Sequence, residues 1–416
     1  MTKFLHFADA HLGVENYGRY DVGTGLHSRL NDFIQSLSTT IDIAIEEKVD
    51  FALFCGDAYK NNNPSPTYQR EFARQIYRLS KADIPTILIN GNHDNPLTFG
   101  RASALDIFQT LCIPNIHVVT EPSLVQLQTG KGTIQIIGIP WPTRNQYLEK
   151  EEYRDSEPNS MNQKIQKRLI KTMTQLMAQI DSQYPRLLAG HLTVAEAIFS
   201  GSENYAVIGN DPVIPIQFFL DSPLDYIALG HIHRYQNLNP EGKPPVVYSG
   251  SMERINFGEE KEDKGFCIGS IDEKGKVDYE FISLPTRKMF TIEVKIRDTE
   301  NPTTALITEI EKYDLKNAIV RVHYEISEVQ VKKLDFKKID QALEGAFLVA
   351  AITRNVQKKS RTGRSSLSEE MDVLSALREY IQLQDWQSWE KDLKETTHNL
   401  QQELSKKDDA AGGFEQ

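Results

Sequence analysis

The chain has 416 residues, with 47 Lys and Arg against 58 Asp and Glu, which gives a formal net charge of −11. At roughly 150 residues per domain this length predicts two or three domains, and 39% hydrophobic beside 25% charged residues excludes a largely disordered chain. The acidic balance excludes a protein that coats nucleic acid with its whole surface, although it is compatible with a local basic surface.

Short apolar runs in the first 285 residues each end at a residue that can bind metal. The runs are Phe4 to Ala8, Phe51 to Cys55, Thr86 to Ile89, Leu187 to Ala189 and Tyr226 to Leu229. Helical patterns lie between the early runs, such as the one with apolar residues at i, i+3 and i+4 that begins at Leu30. Alternating strands and helices predict an α/β domain over residues 1–285, whose strand ends would deliver polar residues to one place. The polar segments 145–164 and 258–264 are expected to be surface loops without a functional role.

After Pro285 the pattern changes to that of a small α+β domain. Alternating apolar residues predict strands near Phe290 to Ile296 and Val320 to Ile326, with a third in the run Phe347 to Ile352. Helical spacing lies between these strands, so a β-α-β-α-β domain is predicted for residues 286–356.

The remainder of the chain is predicted to be mostly helical. A Ser-rich basic linker is expected at residues 357–367. An apolar stripe, followed by Trp386 and Trp389, predicts two amphipathic helices within residues 368–404. Residues 405–416 are expected to form a disordered tail.

The residues that end the apolar runs form a candidate metal-binding set. They are Asp9, His11, Asp57, Asn92, His191, His231 and His233. This set is too large for one metal ion that also leaves room for substrate, whereas two ions sharing the Asp57 carboxylate would use it naturally. A set of imidazoles and carboxylates without thiolates suits manganese, iron or zinc. Two such ions activate a water and clamp a phosphate for in-line attack, so the sequence predicts phosphoester hydrolysis.

His93 and Asp94 directly follow Asn92 and are predicted to be catalytic. A histidine beside a bound phosphate can stabilise developing charge or protonate the leaving oxygen, an effect of about 10²–10⁴-fold. Asp94 has two interpretations at this point: it orients His93, or it caps the helix that follows.

The order of these motifs resembles that of the calcineurin-like binuclear metallophosphoesterases. The motifs are Asp-x-His, Gly-Asp, Gly-Asn-His-Asp, Gly-His and Gly-His-x-His, each after a strand-like run. Nearly the whole chain further resembles the SbcD-type nucleases, the bacterial counterparts of the nuclease subunit in the double-strand-break repair complex. This narrower resemblance depends on FADAHLG, INGNHDNP, ALGHIHRYQ and, most specifically, YSGSMERINFGEEKEDKGF. It implies a β-sandwich flanked by helices, with a small α+β cap domain and a C-terminal helical segment.

The resemblance also assigns the ligands. It implies a first metal ion held by Asp9, His11, Asp57 and His233, and a second held by Asp57, Asn92, His191 and His231. It implies manganese as the metal and His93 as the catalytic histidine. Archaeal and eukaryotic relatives carry a histidine where this chain has Lys60, a difference that bears on how a DNA end is placed rather than on metal binding. A lysine could contact phosphate there as a point charge.

The implied function is a DNA nuclease, with 3′–5′ exonuclease and endonuclease activity on DNA ends and hairpins in repair, recombination or replication. The implied partners are DNA, a second copy of the chain in a homodimer, and an ABC-type ATPase of the SbcC kind that binds the C-terminal helices. Two other functions stay open. One is an architectural subunit that tethers DNA ends and has a minor catalytic role, and the other is a phosphatase or phosphodiesterase that uses the same site.

The cysteines and the N-terminus bear on the compartment. Cys55, Cys112 and Cys267 have no CxxC spacing, which is typical of proteins in a reducing cytosol. The N-terminal segment lacks the long apolar region of a signal peptide, and no apolar run approaches the roughly 20 residues of a membrane helix. A cytoplasmic protein without a membrane partner is therefore expected.

Overall fold

The computed structural model divides the chain into two compact units. The described residues are 1–23, 25–96, 101–147, 158–201, 211–297, 299–357, 372–383 and 386–411. The first unit comprises Met1–Val294, Thr303–Tyr324 and Asp335–Arg354, and the second comprises Lys295–Pro302, Glu325–Leu334 and Asn355–Gln416. The predicted linker at 357–367 lies outside the described residues except for residue 357.

The described strands and helices alternate through most of the chain. The strands are β1 (Thr2–Phe7), β2 (Phe51–Phe54), β3 (Thr86–Ile89), β4 (Ile116–Val119), β5 (Ser123–Thr129), β6 (Gly132–Ile139), β7 (Arg186–His191), β8 (Thr193–Val194), β9 (Val213–Ile214), β10 (Tyr226–Gly230), β11 (Gln236–Asn237), β12 (Val246–Tyr248), β13 (Gly265–Ile271), β14 (Val277–Ser283), β15 (Met289–Lys295), β16 (Ile319–Ser327) and β17 (Leu348–Gln357). The helices are α1 (Ser28–Glu46), α2 (Pro66–Lys81), α3 (Asp106–Thr110), α4 (Arg144–Tyr147), α5 (Pro158–Met177), α6 (Ile216–Leu220), α7 (Pro302–Ile310), α8 (Glu328–Val331), α9 (Phe336–Leu343), α10 (Val373–Leu383) and α11 (Glu390–Ala411).

The first unit contains two sheets whose strands run mostly parallel. Within the described residues, one sheet has the order β14-β13-β1-β2-β3-β4 and the other the order β11-β12-β10-β7-β6-β5. The pairs β1–β2, β2–β3, β6–β7 and β7–β10 are parallel. Phe7 pairs with Phe54 and Gly230 pairs with His191, so neighbouring strands in each sheet end level with one another. The residues after these strands are therefore brought to one edge of each sheet.

The two sheets pack face to face and helices cover their outer faces. The layer between the sheets includes Phe4 and Leu53 from one sheet and Leu187 and Ala228 from the other, all fully buried. Because both faces of the parallel strands are covered, these strands consist of continuous apolar runs rather than alternating ones. The predicted β-sandwich flanked by helices is confirmed.

Helix α1 illustrates why the flanking helices form where they do. His27 is the N-cap and its ring accepts a hydrogen bond from the backbone N–H of Arg29. From there Leu30, Phe33 and Leu37 recur at helical spacing and are buried in the core beside the first sheet. The apolar stripe read from the sequence is therefore the packed face of the helix.

The segment after residue 285 has the predicted order of elements, with the short helix α8 in addition. Strands β15, β16 and β17 form a sheet with β16 in the centre. The predicted boundaries of the cap domain and of the docking segment stay predictions. In the second unit, α11 continues to Ala411, whereas a disordered tail was expected from residue 405. No helix among the described residues combines the length and the hydropathy needed to cross a bilayer.

Candidate metal centre

The predicted ligands meet at the carboxyl ends of five strands. Asp9 and His11 follow β1, Asp57 follows β2, Asn92 follows β3, His191 ends β7, and His231 and His233 follow β10. Four of these positions have positive φ, namely Asp9 at 53°, His11 at 41°, Asp57 at 59° and His231 at 96°. Residues other than glycine rarely adopt this conformation, which is concentrated at functional sites.

The glycines of the motifs are needed because the loops approach closely. A Cβ atom on Gly56 would lie 2.3 Å from Nδ1 of His191. A Cβ atom on Gly91 would lie 2.0 Å from Oδ1 of Asp57. A side chain at position 56 would displace His191 and one at position 91 would displace Asp57, so both glycines are needed for the candidate ligands to approach one another.

The site has two halves with Asp57 between them. We define the first half as Asp9, His11 and His233, and the second half as Asn92, His191 and His231. In the first half, Nε2 of His11 lies 3.0 Å from Nε2 of His233 and 3.9 Å from Oδ1 of Asp9. In the second half, Oδ1 of Asn92 lies 2.9 Å from Nε2 of His191 and 3.1 Å from Nδ1 of His231.

Asp57 is within reach of both halves. Its Oδ2 lies 3.7 Å from Nε2 of His11 and 3.4 Å from Nε2 of His191. Ligand atoms of Asp9, His11 and His233 lie within 4.8 Å of one another, as do those of Asp9, Asp57 and His191. The structure thus brings all the predicted ligands together, with the carboxylate of Asp57 between the two halves.

The outward-facing ring nitrogens decide whether this donor set fits divalent cations. Nδ1 of His191 lies 2.7 Å from the carbonyl oxygen of Cys55, Nδ1 of His233 lies 2.9 Å from Oε1 of Glu259, and Nε2 of His231 lies 3.1 Å from Oδ2 of Asp211. Each of these oxygens accepts a ring N–H, which leaves the lone pair of the other nitrogen facing the centre. Lone pairs that face one another need a proton or a cation between them. The donor set therefore fits two divalent cations.

Burial and neighbouring charges shift the pKa values of the candidate ligands in the metal-free site. Burial raises the pKa of Asp9 to about 6 and lowers the pKa of His11 well below its ordinary value. Burial also opposes ionisation of Asp57, but the neighbouring His191 and His93 outweigh it and hold the pKa of Asp57 well below its ordinary value. Burial acts to lower the pKa of His191, yet the Asp57 carboxylate outweighs it and raises that pKa to about 9. In the absence of metal, His191 consequently holds a proton beside Asp57.

His93 lies at the solvent side of the site. Its side chain is 43% exposed and its Nε2 lies 3.9 Å from Oδ2 of Asp57. The ring N–H at Nδ1 donates to the backbone carbonyl of Lys60 over 2.7 Å, which orients Nε2 toward the ligands. Because this contact uses the backbone of Lys60, it does not depend on which side chain stands at position 60.

Asp94 has a role that differs from the predicted one. It is fully buried, and its carboxylate accepts hydrogen bonds from the backbone N–H groups of Asp57 at 2.8 Å, Ala58 at 3.0 Å and Gly91 at 3.0 Å. The described contacts of Asp94 are thus to backbone and not to the ring of His93. Asp94 fixes the loop that carries Asp57, which corrects its prediction as a catalytic residue.

Sequence reasoning missed three charged residues next to the ligands: Asp211, Glu259 and Lys264. Segment 258–264 was expected to be a surface loop, but Glu259 is 0% and Lys264 1% exposed. The available signal was the run YSGSMERINFGEEKEDKGF, which contains both residues and is the most specific part of the resemblance. Trp141 was also missed, and its ring packs against that of His231 with centroids 4.7 Å apart.

Comparison with known proteins yields matches over most of the chain. An uncharacterized metallophosphoesterase, YhaO of Bacillus subtilis, is 28% identical over 283 residues, which are 67% of this chain and 59% of that protein. The SbcD component of the nuclease SbcCD of Staphylococcus saprophyticus is 25% identical over 403 residues, 88% of this chain and 99% of that protein. The DNA double-strand break repair protein Mre11 of Archaeoglobus fulgidus is 25% identical over 347 residues, 80% of this chain and 70% of that protein.

The family profile of the calcineurin-like phosphoesterases matches residues 2–235. This stretch is more than half of the chain and includes every predicted metal ligand and His93. The sandwich fold, the cluster of candidate ligands around Asp57 and the family match agree with one another. The chain therefore belongs to the calcineurin-like phosphoesterases and is a metal-dependent phosphoester hydrolase.

Proposed function

We propose that the protein is a manganese-dependent DNA nuclease with 3′–5′ exonuclease and endonuclease activity on DNA ends and hairpins. The observation that carries the proposal is the pair of ligand halves around Asp57 with His93 at their open edge. Support comes from similarity to the staphylococcal SbcD protein over nearly the full length of both chains. Manganese suits a set of imidazole, carboxylate and amide ligands that lacks thiolates.

The roles of the residues follow from their positions. Asp9, His11, Asp57 and His233 would hold one divalent cation, and Asp57, Asn92, His191 and His231 would hold the other. When bound, two cations neutralise phosphate charge and lower the pKa of water. His93, held at Nδ1 by the Lys60 carbonyl, presents Nε2 to the phosphate side and there stabilises charge or delivers a proton to the leaving oxygen.

We further propose that the C-terminal helices bind an ABC-type ATPase of the SbcC kind and that the protein acts as a homodimer. Trp386 and Trp389 are 45% and 62% exposed, and exposed aromatic residues are enriched at the centres of interfaces. Replacing both with alanine in the full chain should abolish co-purification of the ATPase while leaving hydrolysis of a small phosphodiester unchanged. Undiminished co-purification would contradict the assignment to these helices.

The substrate class is tested by comparing a DNA hairpin with bis(p-nitrophenyl) phosphate at equal concentrations of the manganese-loaded protein. We expect cleavage of the hairpin that stops when the metal is chelated. Rapid hydrolysis of the small diester without DNA cleavage would favour a phosphodiesterase. Failure of the metal-loaded protein to hydrolyse either substrate would favour an architectural role.

A further inference from the structure

A buried pair of opposite charges lies directly behind His233. Glu259 and Lys264 are 0% and 1% exposed, and Nζ of Lys264 lies 2.9 Å from Oε2 of Glu259. Removing two charges from water is costly, and only good geometry with further hydrogen bonds offsets that cost. Such a pair is weak evidence for a stabilising role, so its contacts indicate what it does.

The contacts of the pair close a ring around His233. Oε1 of Glu259 accepts the ring N–H at Nδ1 of His233 over 2.9 Å, and Oε2 accepts the backbone N–H of Ile255 over 3.1 Å. Nζ of Lys264 donates to the backbone carbonyl of His233 over 3.0 Å and to Oε2 of Glu262 over 2.9 Å. The carboxylate thus holds the ring of His233, and the ammonium holds the backbone of the same residue.

A second buried histidine in the same unit shows that charges are not required to accommodate an imidazole in this core. His6 is fully buried, and its ring nitrogens lie 3.0 Å from the hydroxyl of Tyr226 and 3.1 Å from the carbonyl oxygen of Leu229. These neutral partners satisfy both nitrogens. The charged partners of His233 therefore need another explanation, and that histidine differs from His6 in facing the ligand cluster.

We propose that Glu259, supported by Lys264, is a positioning residue for the first half of the metal centre. The carboxylate fixes the Nδ1–H form of His233, so that the Nε2 lone pair faces His11 at 3.0 Å. A carboxylate behind a ligating histidine also raises its basicity, and loss of such a partner typically weakens metal affinity by about 10- to 100-fold. This role depends on the proposed binuclear centre. Segment 258–264 would then increase the metal affinity of one of the two sites of that centre.

The test is a calorimetric titration of the metal-free full-length protein with Mn²⁺, comparing the wild type with Glu259→Gln. We expect one of two Mn²⁺ sites to weaken by about 10- to 100-fold while the other keeps its affinity. At two Mn²⁺ per chain, the electron paramagnetic resonance spectrum should change from that of a coupled pair toward that of a single ion. Glu262→Gln is the matched control, because it removes the same charge beside Lys264 without touching His233, and it should leave both sites unchanged.

A purely structural role would give a different result. Glu259→Gln leaves the charge of Lys264 buried beside an amide. The double variant Glu259→Gln/Lys264→Met removes both buried charges and is measured alongside the single variant. It replaces the single variant if that protein does not fold. We expect the double variant to unfold cooperatively, which shows that it is folded, and to have one weakened Mn²⁺ site beside one site of wild-type affinity. Two Mn²⁺ sites of wild-type affinity in either folded variant would overturn the proposal. Because the readout is metal affinity, a wild-type protein that binds two Mn²⁺ but cuts no DNA would refute the proposed nuclease function and leave this inference standing.

Discussion

The two halves of the metal centre are built in different ways. In the first half, the ring of His233 is backed by the fully buried carboxylate of Glu259, which is itself paired with Lys264. In the second half, the ring of His191 is backed by the backbone carbonyl of Cys55, a neutral acceptor. His231 in the same half is backed by the carboxylate of Asp211, which is 11% exposed, so the two halves differ in how deeply the carboxylate behind a histidine is buried.

This difference has consequences for how the halves take up metal. Each half has a carboxylate behind one imidazole, but Glu259 is fully buried and its charge is screened less than that of the 11% exposed Asp211, which favours the first half. The second half also holds a proton on His191, whose pKa is raised to about 9 in the metal-free protein, and a cation must displace it. We therefore expect the first half to fill before the second at neutral pH.

The largest expected effect is the loss of metal from both halves of the centre. Asp57→Asn should abolish Mn²⁺ binding in both halves, because the shared carboxylate is replaced by a neutral amide of the same shape. Hydrolysis should fall by more than the roughly 10²–10⁴-fold that a single acid–base residue contributes. Bound manganese per chain after gel filtration, measured together with hydrolysis, checks this. Asp278→Asn, an exposed change on β14, is the control, and an Asp57→Asn protein that retained two ions would refute the sharing of Asp57.

The next effect separates chemistry from metal binding. His93→Ala should leave both halves filled, because His93 belongs to neither, and should lower hydrolysis of a small phosphodiester by about 10²–10⁴-fold. His398→Ala, the same substitution at an exposed position on α11, is the matched control and should leave turnover unchanged. Manganese content and turnover are measured on the same samples. Loss of metal from the His93→Ala protein would mean that His93 is a ligand rather than the acid.

A smaller effect is expected for the second half. Nε2 of His231 donates to Oδ2 of Asp211 over 3.1 Å, and the Asp211 side chain is 11% exposed. Because the Asp211 carboxylate is partly exposed and its charge is screened more than that of the fully buried Glu259, Asp211→Asn should weaken one Mn²⁺ site by only about 10-fold, the low end of the usual range for such partners. Asp221→Asn, an exposed change in the same unit, serves as the control. If the site weakened by Asp211→Asn were the one weakened by Glu259→Gln, the two halves would not be separate.

The fold and the meeting of the candidate ligands at one place could be predicted because both depend on local sequence. Each ligand directly follows a short apolar run, and parallel strands that end in register bring such residues together. The orientation of Asp94 could not be predicted in this way. Although it is adjacent to His93, the turn directs its carboxylate back to the N–H groups of Asp57 and Ala58, which lie more than 30 positions earlier in the chain.

Glu259 and Lys264 were missed for a different reason. A segment as polar as 258–264 is typical of a surface loop, and only tertiary contacts offset the cost of burying its charges. Those contacts involve Nδ1 of His233 and its backbone carbonyl, and neither the tautomer nor the carbonyl direction is encoded locally. The same holds for Asp211, whose partner His231 is 20 residues away in sequence.

The smallest effect we expect is a difference in proton release between the halves. At about pH 8, His191 with its pKa raised to about 9 still carries a proton, whereas Asp9 with a pKa of about 6 and His11 with a lowered pKa have lost theirs. Filling the second half should therefore release about one proton and filling the first half almost none.

The same proton makes metal affinity depend on pH. Rising pH removes the proton that competes with the cation at His191, so the affinity of the second site for Mn²⁺ should increase by up to about tenfold per pH unit until the pKa of His191 is passed. Calorimetric titrations in two buffers of different ionisation enthalpy measure the released protons. In the Glu259→Gln variant the first site is weakened, so the second half becomes the tighter site and its proton release is measured separately. Equal proton release at both sites would show that the proton on His191 is lost from the two halves jointly. The residues behind the histidines would then not make the halves titrate independently.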